Sequence, residues 1–252
     1  MELKGCVTLV TGGGRRIGKA IVEHLAGRGA LVAIHYHTSS VEAKSLAAGL
    51  QKKGLKGLPF RADLSRPAAI EELVRRIEKR LGPVSVLINS ASIYQMTSPH
   101  QFSVSEWDRV MAVNLRAPAL LSRAVGPKMK KAGQGVIINL GDWSIQRPYA
   151  GYAAYAASKA GLEALTKVLA RELAPEVRVN MISPGAILPP AGALTLKKNA
   201  KMTAKIKMMA EAAVLKRMGR PADIAETVLF LIERSDFTTG INLLVDGGRN
   251  LQ

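Results

Sequence analysis

Short, almost continuously apolar runs alternate with amphipathic helical stretches along the whole chain. Helices are expected at 17–28, 41–53, 68–80, 106–131, 155–173 and 222–233. The apolar runs around them are CVTLVT, ALVAIHY, KGLPFRA, VSVLIN, GVIINL, VRVNMI and INLLVDGG. Strands without an alternation of polar and apolar side chains are buried on both faces, as happens when helices cover a parallel sheet. The pattern therefore predicts an α/β fold, a Rossmann-like doubly wound parallel sheet with helices on both faces.

One domain is expected to span residues 1–252, because no low-complexity linker or internal repeat divides them. The irregular stretch 186–215 is expected to be a substrate lid, since closing segments exclude water from many sites. Two sets of residues recur in it at helical spacing: the apolar Met202, Ile206 and Met209, and the basic Lys197, Lys201 and Lys205. The basic stripe is either a solvated helix face or a surface that attracts an anionic substrate.

The composition favours small anionic partners. The formal charge is +17, yet aromatic residues are only 4 % and are not interleaved with the basic ones, so a nucleic-acid partner is not expected. The single cysteine, Cys6, excludes an internal disulfide and a cysteine-cluster metal site, and no metal is expected. No apolar run reaches the ~18–20 residues that span a bilayer, and the N-terminus lacks a leader pattern. We therefore expect a cytoplasmic protein without a membrane partner.

The turn VTGGGRRIG follows the first strand and opens the first helix. It has the spacing Thr11-Gly12-x-x-x-Arg16-x-Gly18, which differs from G-x-G-x-x-G. Glycines let a backbone approach a pyrophosphate closely, and a helix N-terminus offers free N–H groups to it. The turn predicts a dinucleotide site, and a merely tight connection is the alternative.

The second strand ends in HYHTSS, without the acidic residue that binds an NAD ribose about 20 residues past the glycines. No carboxylate occurs there before Glu42. The groups available to a 2′-phosphate are Arg15, Arg16, His35, His37, Thr38 and Ser39. Arginine binds phosphate bidentately, so NADPH is the expected cofactor. His35 and His37 can equally be ordinary strand-end residues.

Tyr155 and Lys159 are four residues apart on a predicted helix and so share one face. A neighbouring ammonium is expected to lower the pKa of the phenol, which then delivers a proton near neutral pH. Tyr152 is the rival acid, but it is seven residues from Lys159 and is expected to line the pocket. Asp63 at the third strand end suits an adenine contact, and the small-residue turn Asn89–Ser92 lets the backbone pass close to a ligand.

These motifs together resemble the short-chain dehydrogenase/reductase family over essentially the whole chain. The matching segments are TGGGRRIG, ADL, NSAS, VNL, YAASK, RVNMISPG and TGINLLVDGG. The resemblance implies that Tyr155 is the general acid, that Lys159 holds the ribose, and that Asn114 holds a relay water. It also implies a homotetramer. The expected cofactor contacts are Gly12, Arg16, Ile17, Gly18, His35, Tyr36, His37, Thr38, Ser39, Asp63, Leu64, Asn89, Ser90, Ala91, Tyr155, Lys159, Pro184 and Gly185.

Two departures narrow the resemblance. Arg16 stands where most members have glycine, and Asp142 stands where most have the catalytic serine. Both departures, with HYHTS, resemble the pteridine reductase subgroup, including bacterial dihydromonapterin reductase-like members. This resemblance implies a pterin or folate substrate, a catalytic set of Asp142, Tyr155, Lys159 and Asn114, and substrate contacts from Arg16, Ser92, Tyr94, Asp142 and Tyr155.

Asp142 also has a physical reading. A carboxylate beside the oxyanion of a reduced carbonyl costs roughly 4 kcal/mol at 4 Å and an effective dielectric near 20. A C=N bond has a basic nitrogen, and an aspartate can bind the N–H groups of an aminopyrimidine. The alternatives are that Asp142 points away and Ser144 replaces the serine, that the chain is a 3-oxoacyl-(acyl-carrier-protein) or other carbonyl reductase, or that it is a non-catalytic NADPH sensor. The role of Trp143 stays open, and so does the question of whether the C-terminal GGRNLQ reaches a neighbouring subunit's pocket.

Overall fold

The computed structural model of the protein describes residues 1–97, 102–187 and 200–251, except for the side chains of residues 200, 201, 202 and 205. The strands are β1 Val7–Val10, β2 Leu31–Tyr36, β3 Gly57–Arg61, β4 Val84–Asn89, β5 Gly135–Leu140, β6 Val177–Pro184 and β7 Asn242–Val245. The helices are α1 Arg16–Gly27, α2 Ser40–Lys52, α3 Pro67–Leu81, α4 Val104–Met111, α5 Ala117–Lys131, α6 Ala153–Glu172, α7 Ala200–Glu211 and α8 Pro221–Glu233.

The strands form one parallel sheet in the order β3-β2-β1-β4-β5-β6-β7. The chain starts in the middle, at β1, and winds first toward β3 and then toward β7. The order therefore reverses between β1 and β4, and a crevice opens there at the carboxyl ends of the strands. The predicted doubly wound fold is confirmed.

The core has two layers, one on each face of the sheet. Leu25, Ile34 and Val228 belong to the layer beneath α1, α2 and α8. Leu73 and Leu121 belong to the layer beneath α3 and α5. All of these side chains are fully buried, and each contributes about 1.5–3 kcal/mol of hydrophobic free energy. This double cover explains why the strands have no polar face.

The single long helix predicted at 106–131 is divided. Helix α4 starts at Val104, two residues earlier than expected, because Ser103 and Glu106 form a reciprocal capping box. A wider turn with π-type hydrogen bonding, Ala112–Arg116, joins α4 to α5. Such turns accommodate one extra residue and occur often at functional sites. This turn carries Asn114.

The predicted lid at 186–215 is described only in part. Helix α7 occupies its second half, as the helical spacing of Ile206 and Met209 indicated. Lys197 and the side chains of Lys201, Met202 and Lys205 lie outside the described residues, and so does the predicted basic stripe. Within the described ranges, no helix has the length and apolar character needed to cross a bilayer.

Candidate active site

The glycine-rich turn between β1 and α1 is tied to the end of β4 by one threonine. The Thr11 hydroxyl oxygen accepts hydrogen bonds from the backbone N–H groups of Ser90 (2.9 Å) and Ala91 (3.0 Å). A Cβ atom on Gly12 would lie 3.0 Å from the Ala91 Cα, and Gly12 has a φ of +64°. A Cβ on Gly18 would overlap the Gly12 carbonyl. The turn therefore requires both glycines, and it leaves the α1 N-terminus facing the crevice.

His35 supports this turn from beneath and does not face a phosphate. Its ring is 2 % exposed, Nδ1 accepts from the Gly12 N–H (3.2 Å), and Nε2 lies 3.2 Å from the Ala62 carbonyl oxygen. Burial lowers the pKa of His35 to about 4, so the ring is neutral at pH 7. The expectation that its side chain meets the 2′-phosphate is wrong, because both ring nitrogens are already engaged with backbone.

The two arginines of the glycine-rich turn differ in their ion pairing. Arg15 forms an ion pair with Glu42 of α2. Arg16 is exposed, has a φ of +49°, and forms no ion pair within the described residues. A left-handed conformation costs a non-glycine residue roughly 1–2 kcal/mol. Arg16 is thus a free cation held at the head of α1 at a conformational cost. Ser39 lies close by, with its hydroxyl 3.2 Å from the position of a Cβ on Gly14.

The strand ends on either side of the crevice carry the remaining predicted cofactor residues. The Asp63 carboxylate accepts from the Ser65 N–H (3.0 Å) and hydroxyl (2.7 Å), and its second oxygen lies 3.9 Å from His37. The Asn89 amide donates to Asn139 (2.8 Å) and is buried. Tyr36, Leu64 and Pro184 are also buried, Ile17 is half-buried, and Thr38 and Ser92 are exposed. Gly185 passes so close to Asp246 that a Cβ there would lie 2.6 Å from its Cα.

Asp142 faces Tyr155. The Tyr155 hydroxyl donates to Oδ2 of Asp142 at 2.7 Å, and the Ser144 backbone N–H donates to Oδ1 at 2.8 Å. Both carboxylate oxygens are therefore fixed. The alternative that Asp142 points away while Ser144 takes its place is wrong, because Asp142 itself reaches the phenol and Ser144 is 5 % exposed.

The expected lowering of the phenol pKa by Lys159 is also wrong in this structure. Burial, together with the charge and hydrogen bond of Asp142, raises the pKa of Tyr155 above its ordinary value. The Lys159 ammonium donates to the Leu140 carbonyl (2.7 Å) and lies 5.7 Å from the centre of the Tyr155 ring. Burial lowers the pKa of Lys159 to about 8. Burial and the neighbouring carboxylate both raise the phenol pKa, and the ammonium does not reverse that direction.

Asn114 anchors the loop that follows β4. Its amide donates to the Ile93 carbonyl (3.0 Å) and to the Ser158 hydroxyl (3.1 Å), and its side-chain oxygen accepts from the Ile93 N–H (2.8 Å). Ser158 lies between Tyr155 and Lys159 on α6. The π-type turn thus connects the loop of Tyr94 to the helix that carries the tyrosine–lysine pair.

Two further tyrosine rings, those of Tyr94 and Tyr152, lie beside Tyr155. The Tyr94 ring stacks on Tyr152 at 4.6 Å between centroids and 16° between planes, and it meets the Tyr155 ring edge-on at 4.8 Å. Thr97 fixes this arrangement by accepting from the Ala154 N–H at 3.1 Å. Tyr94 remains 58 % exposed, so one ring face borders open space beside the phenol.

A second cluster adjoins the site, and the sequence did not predict it. The Arg249 guanidinium lies over the Trp143 ring, 4.9 Å from its centre, and Tyr149 meets the same ring edge-on at 5.6 Å. Arg249 also donates to the Met209 carbonyl of α7 at 2.9 Å. The C-terminal segment therefore folds back on Trp143 of its own chain. The two side chains are far apart in the sequence, which explains why no local signal revealed the pair.

The turn and crevice fit a dinucleotide. Glycines stand where side chains would obstruct it, free N–H groups open α1, and Arg16 supplies a positive charge that has no ion-pair partner among the described residues. Tyr155 and Lys159 lie on α6, where Lys159 contacts the Leu140 carbonyl at the end of β5, and Asn114 lies in the π-type turn that contacts α6. A nucleotide crevice beside a buried tyrosine–lysine pair defines the class of nicotinamide-dependent oxidoreductases.

The chain belongs to the short-chain dehydrogenase/reductase family. Residues 13–250 match the family model described as Enoyl-(Acyl carrier protein) reductase. A 2,3-dihydro-2,3-dihydroxybenzoate dehydrogenase from Bacillus subtilis is 33 % identical, with 99 % of this chain and 97 % of the relative covered. The 3-oxoacyl-[acyl-carrier-protein] reductase FabG from Staphylococcus epidermidis is 34 % identical, covering 95 % and 97 %.

Solved structures extend the comparison. A blue fluorescent protein from a metagenomic library, in complex with NADPH, superposes with a TM-score of 0.89 at 34 % identity and covers 99 % of both chains. FolM Alternative dihydrofolate reductase 1 from Brucella canis, complexed with NADP, has a TM-score of 0.88 at 32 % identity and covers 100 % of this chain and 97 % of that one. The family and these complexes confirm the predicted nicotinamide cofactor.

Proposed function

We propose that this oxidoreductase reduces dihydropterins, dihydrofolate among them, to their tetrahydro forms with NADPH. The observation that carries the proposal is the 2.7 Å hydrogen bond between Tyr155 and Asp142, at the position where most family members have a serine. The structural likeness to the Brucella canis FolM dihydrofolate reductase supports it. The predicted homotetramer and cytoplasmic location remain predictions.

The residues that would hold NADPH are those of the glycine turn and of the β2 end. Arg16 is unpaired within the described residues and can bind the 2′-phosphate, while Arg15 must leave Glu42 to do so. The small side chains of Ser90 and Ala91 leave the backbone open to the cofactor. When bound, the nicotinamide supplies a hydride to the substrate.

Tyr155 holds the proton that the substrate nitrogen needs. Its raised pKa keeps the phenol protonated at neutral pH, and Asp142 keeps the hydroxyl oriented by accepting its hydrogen. The buried Lys159 is partly protonated near its pKa of about 8 and lies close enough to stabilise the phenolate that forms when the proton leaves. Asn114 fixes the Ile93 backbone and Ser158 around this path.

Asp142 selects between C=N and C=O substrates. A carbonyl that gains hydride develops an anion that would share the Tyr155 hydroxyl with the carboxylate, about 4 Å away. The repulsion is about 4 kcal/mol at an effective dielectric near 20, or about three orders of magnitude in rate. A ring nitrogen gains a proton in place of a charge, and Asp142 can accept from the N–H groups of the aminopyrimidine.

Tyr94 offers the surface on which a flat heterocycle would lie. Its exposed face stands next to the Tyr155 edge, and stacking of an aromatic pair contributes about 0.5–1.5 kcal/mol beyond area burial. Tyr152 supports it from the other side. This aromatic wall suits a pterin better than a flexible acyl chain.

Carbonyl reduction is the second candidate, because the Staphylococcus epidermidis relative is named a 3-oxoacyl-[acyl-carrier-protein] reductase. One assay separates the candidates: NADPH oxidation by the native protein with dihydrobiopterin, dihydrofolate or an acetoacetyl thioester. We expect turnover with the two pterins and a kcat/KM at least about 100-fold lower with the thioester. A preference for the thioester would contradict the proposal, and no oxidation with any acceptor would indicate a cofactor sensor.

A further inference from the structure

A cavity of about 520 Å³ lies between the 141–152 loop, the residue that follows helix α7 and the C-terminal segment. Its walls are Trp143, Arg147, Pro148, Tyr149, Ala212 and Arg249. The volume falls within the range of about 300–1,000 Å³ that is usual for small-molecule pockets. The same loop carries Asp142 at its beginning and Tyr152 at its end. The cavity therefore adjoins the reaction site but is lined by different residues.

The cavity combines two positive charges with two aromatic rings. Among the residues that the structure describes, neither Arg147 nor Arg249 forms an ion pair with a carboxylate. Arg147 is exposed, and its guanidinium makes no hydrogen bond within the described part of the chain. The Nε atom of Arg249 is buried and has no hydrogen-bond partner in the described ranges. An anion bound here would neutralise the two positive charges and accept a hydrogen bond from the unpartnered donor.

The arginine is held in place by the fold. Asp246 accepts from the backbone N–H groups of Gly248 (2.9 Å) and Asn250 (2.8 Å), which fixes the turn that carries Arg249. The guanidinium then bridges the Met209 carbonyl on α7 and the Trp143 ring. A rigidly positioned cation loses little side-chain entropy when it binds a ligand.

We infer that this cavity is a second substrate subsite for an aromatic ring that carries an anionic group. The ring would pack against Trp143 and Tyr149, and the anion would be bound by Arg147 and Arg249. The inference rests on the proposed pterin site, because the ligand is the arm that extends from a pterin bound between Tyr94 and Asp142. Substrates with an aryl-carboxylate arm are thus preferred to pterins with a neutral side chain.

The test compares three reduced pterins that differ only in this arm: 7,8-dihydrofolate, 7,8-dihydropteroate and 7,8-dihydrobiopterin. Their Kd values are measured by calorimetry on the NADP-loaded protein, for the native chain and for Arg147→Gln. We expect the Kd for the two aryl-carboxylates to rise about 10-fold, as for loss of one charge-assisted hydrogen bond. The Kd for dihydrobiopterin should change less than about 2-fold.

Arg80→Gln is the matched control. Arg80 is an exposed arginine in the last turn of α3, and its removal lowers the net charge equally. An equal rise for both variants would show a long-range charge effect and overturn the inference. So would an Arg147→Gln variant that binds all three pterins like the native chain. Arg249→Lys keeps the positive charge but loses the planar pair of guanidinium N–H donors. We expect its Kd for dihydrofolate to be at least about 5-fold higher than that of the native chain.

Failure of the proposed function has a separate signature. The probe p-aminobenzoylglutamate carries the arm without a pterin. If the native protein binds it and Arg147→Gln does not, the subsite stands even when no pterin is turned over. The opposite result is reduction of dihydrobiopterin without binding of p-aminobenzoylglutamate, with the three Kd values unaffected by Arg147→Gln. That result would support the pterin reductase and refute the subsite.

Discussion

Replacing Asp142 by serine should convert the site from pterin reduction toward carbonyl reduction. The Asp142 carboxylate lies 2.7 Å from the Tyr155 hydroxyl oxygen, so an oxyanion that shares this hydroxyl would form about 4 Å from a negative charge. Removal of that charge returns about 4 kcal/mol to a carbonyl transition state at an effective dielectric near 20. A serine hydroxyl adds a donor where the charge develops.

We therefore expect Asp142→Ser to raise kcat/KM for an acetoacetyl thioester by about 10³-fold. For dihydrobiopterin, loss of the carboxylate that binds the ring N–H groups should lower kcat/KM by about 10²-fold. The assay is NADPH oxidation at 340 nm under subsaturating acceptor. The direction of change must be opposite for the two substrates, which an unspecific loss of folding cannot produce.

Ser144→Ala is the control, because Ser144 contacts Asp142 through its backbone N–H and its hydroxyl is not needed for that bond. Its two kcat/KM values should stay within about 2-fold of the native ones. An Asp142→Ser variant that keeps full turnover with dihydrobiopterin, or gains nothing with the thioester, would refute the electrostatic reasoning about this position.

Three further outcomes follow from the nucleotide turn. Arg16→Gly should raise the Kd for NADPH about 10-fold or more but leave the Kd for NADH within about 2-fold, because only NADPH has a 2′-phosphate. Calorimetry measures both Kd values, and equal effects would contradict the assignment of Arg16 to the 2′-phosphate. Gly18→Ala should weaken NADPH binding and lower the Tm, because the new Cβ would overlap the Gly12 carbonyl. Gly27→Ala is the control: the space around its Cβ is open, so this substitution should raise the unfolding free energy by about 0.5–1 kcal/mol. His35 has a folded pKa of about 4, so the unfolded chain binds its proton first as pH falls from about 6.5, and the unfolding free energy should drop by about 3 kcal/mol by pH 4. Urea unfolding of His35→Asn at pH 7 and pH 4 should show a correspondingly smaller drop, and an unchanged drop would place the titration elsewhere.

The layout of the sheet and helices was predictable because it depends on hydrophobic periodicity, which is written locally in the chain. The start of α4 at Val104 was missed by two residues although Ser103 and Glu106 carry a readable capping signal. The π-type turn at Ala112–Arg116 left no such signal. Its geometry depends on what Asn114 contacts, and those partners lie on other elements.

The proximity of Tyr155 and Lys159 was also predictable, whereas the electrostatics around them were not. The spacing of Tyr155 and Lys159 placed both on one face of α6. The predicted direction of the phenol pKa was wrong because burial and the Asp142 carboxylate, which the fold brings to the hydroxyl, both raise it. His35 was misassigned for a similar reason, since its partners Gly12 and Ala62 become neighbours only in the folded sheet.

Because of the π-type turn, the number of residues between α4 and α5 determines where the Asn114 side chain lies. The extra residue that it accommodates turns Asn114 toward the Ile93 backbone and Ser158. Deleting any one residue of this turn would let α4 and α5 merge into a regular helix, which is the more stable local conformation. The same deletion would rotate the preceding helix by about 100° about its axis relative to α5. A change of one residue in the length of this turn can therefore leave the helices folded and still displace Asn114 from the Ile93 backbone and Ser158.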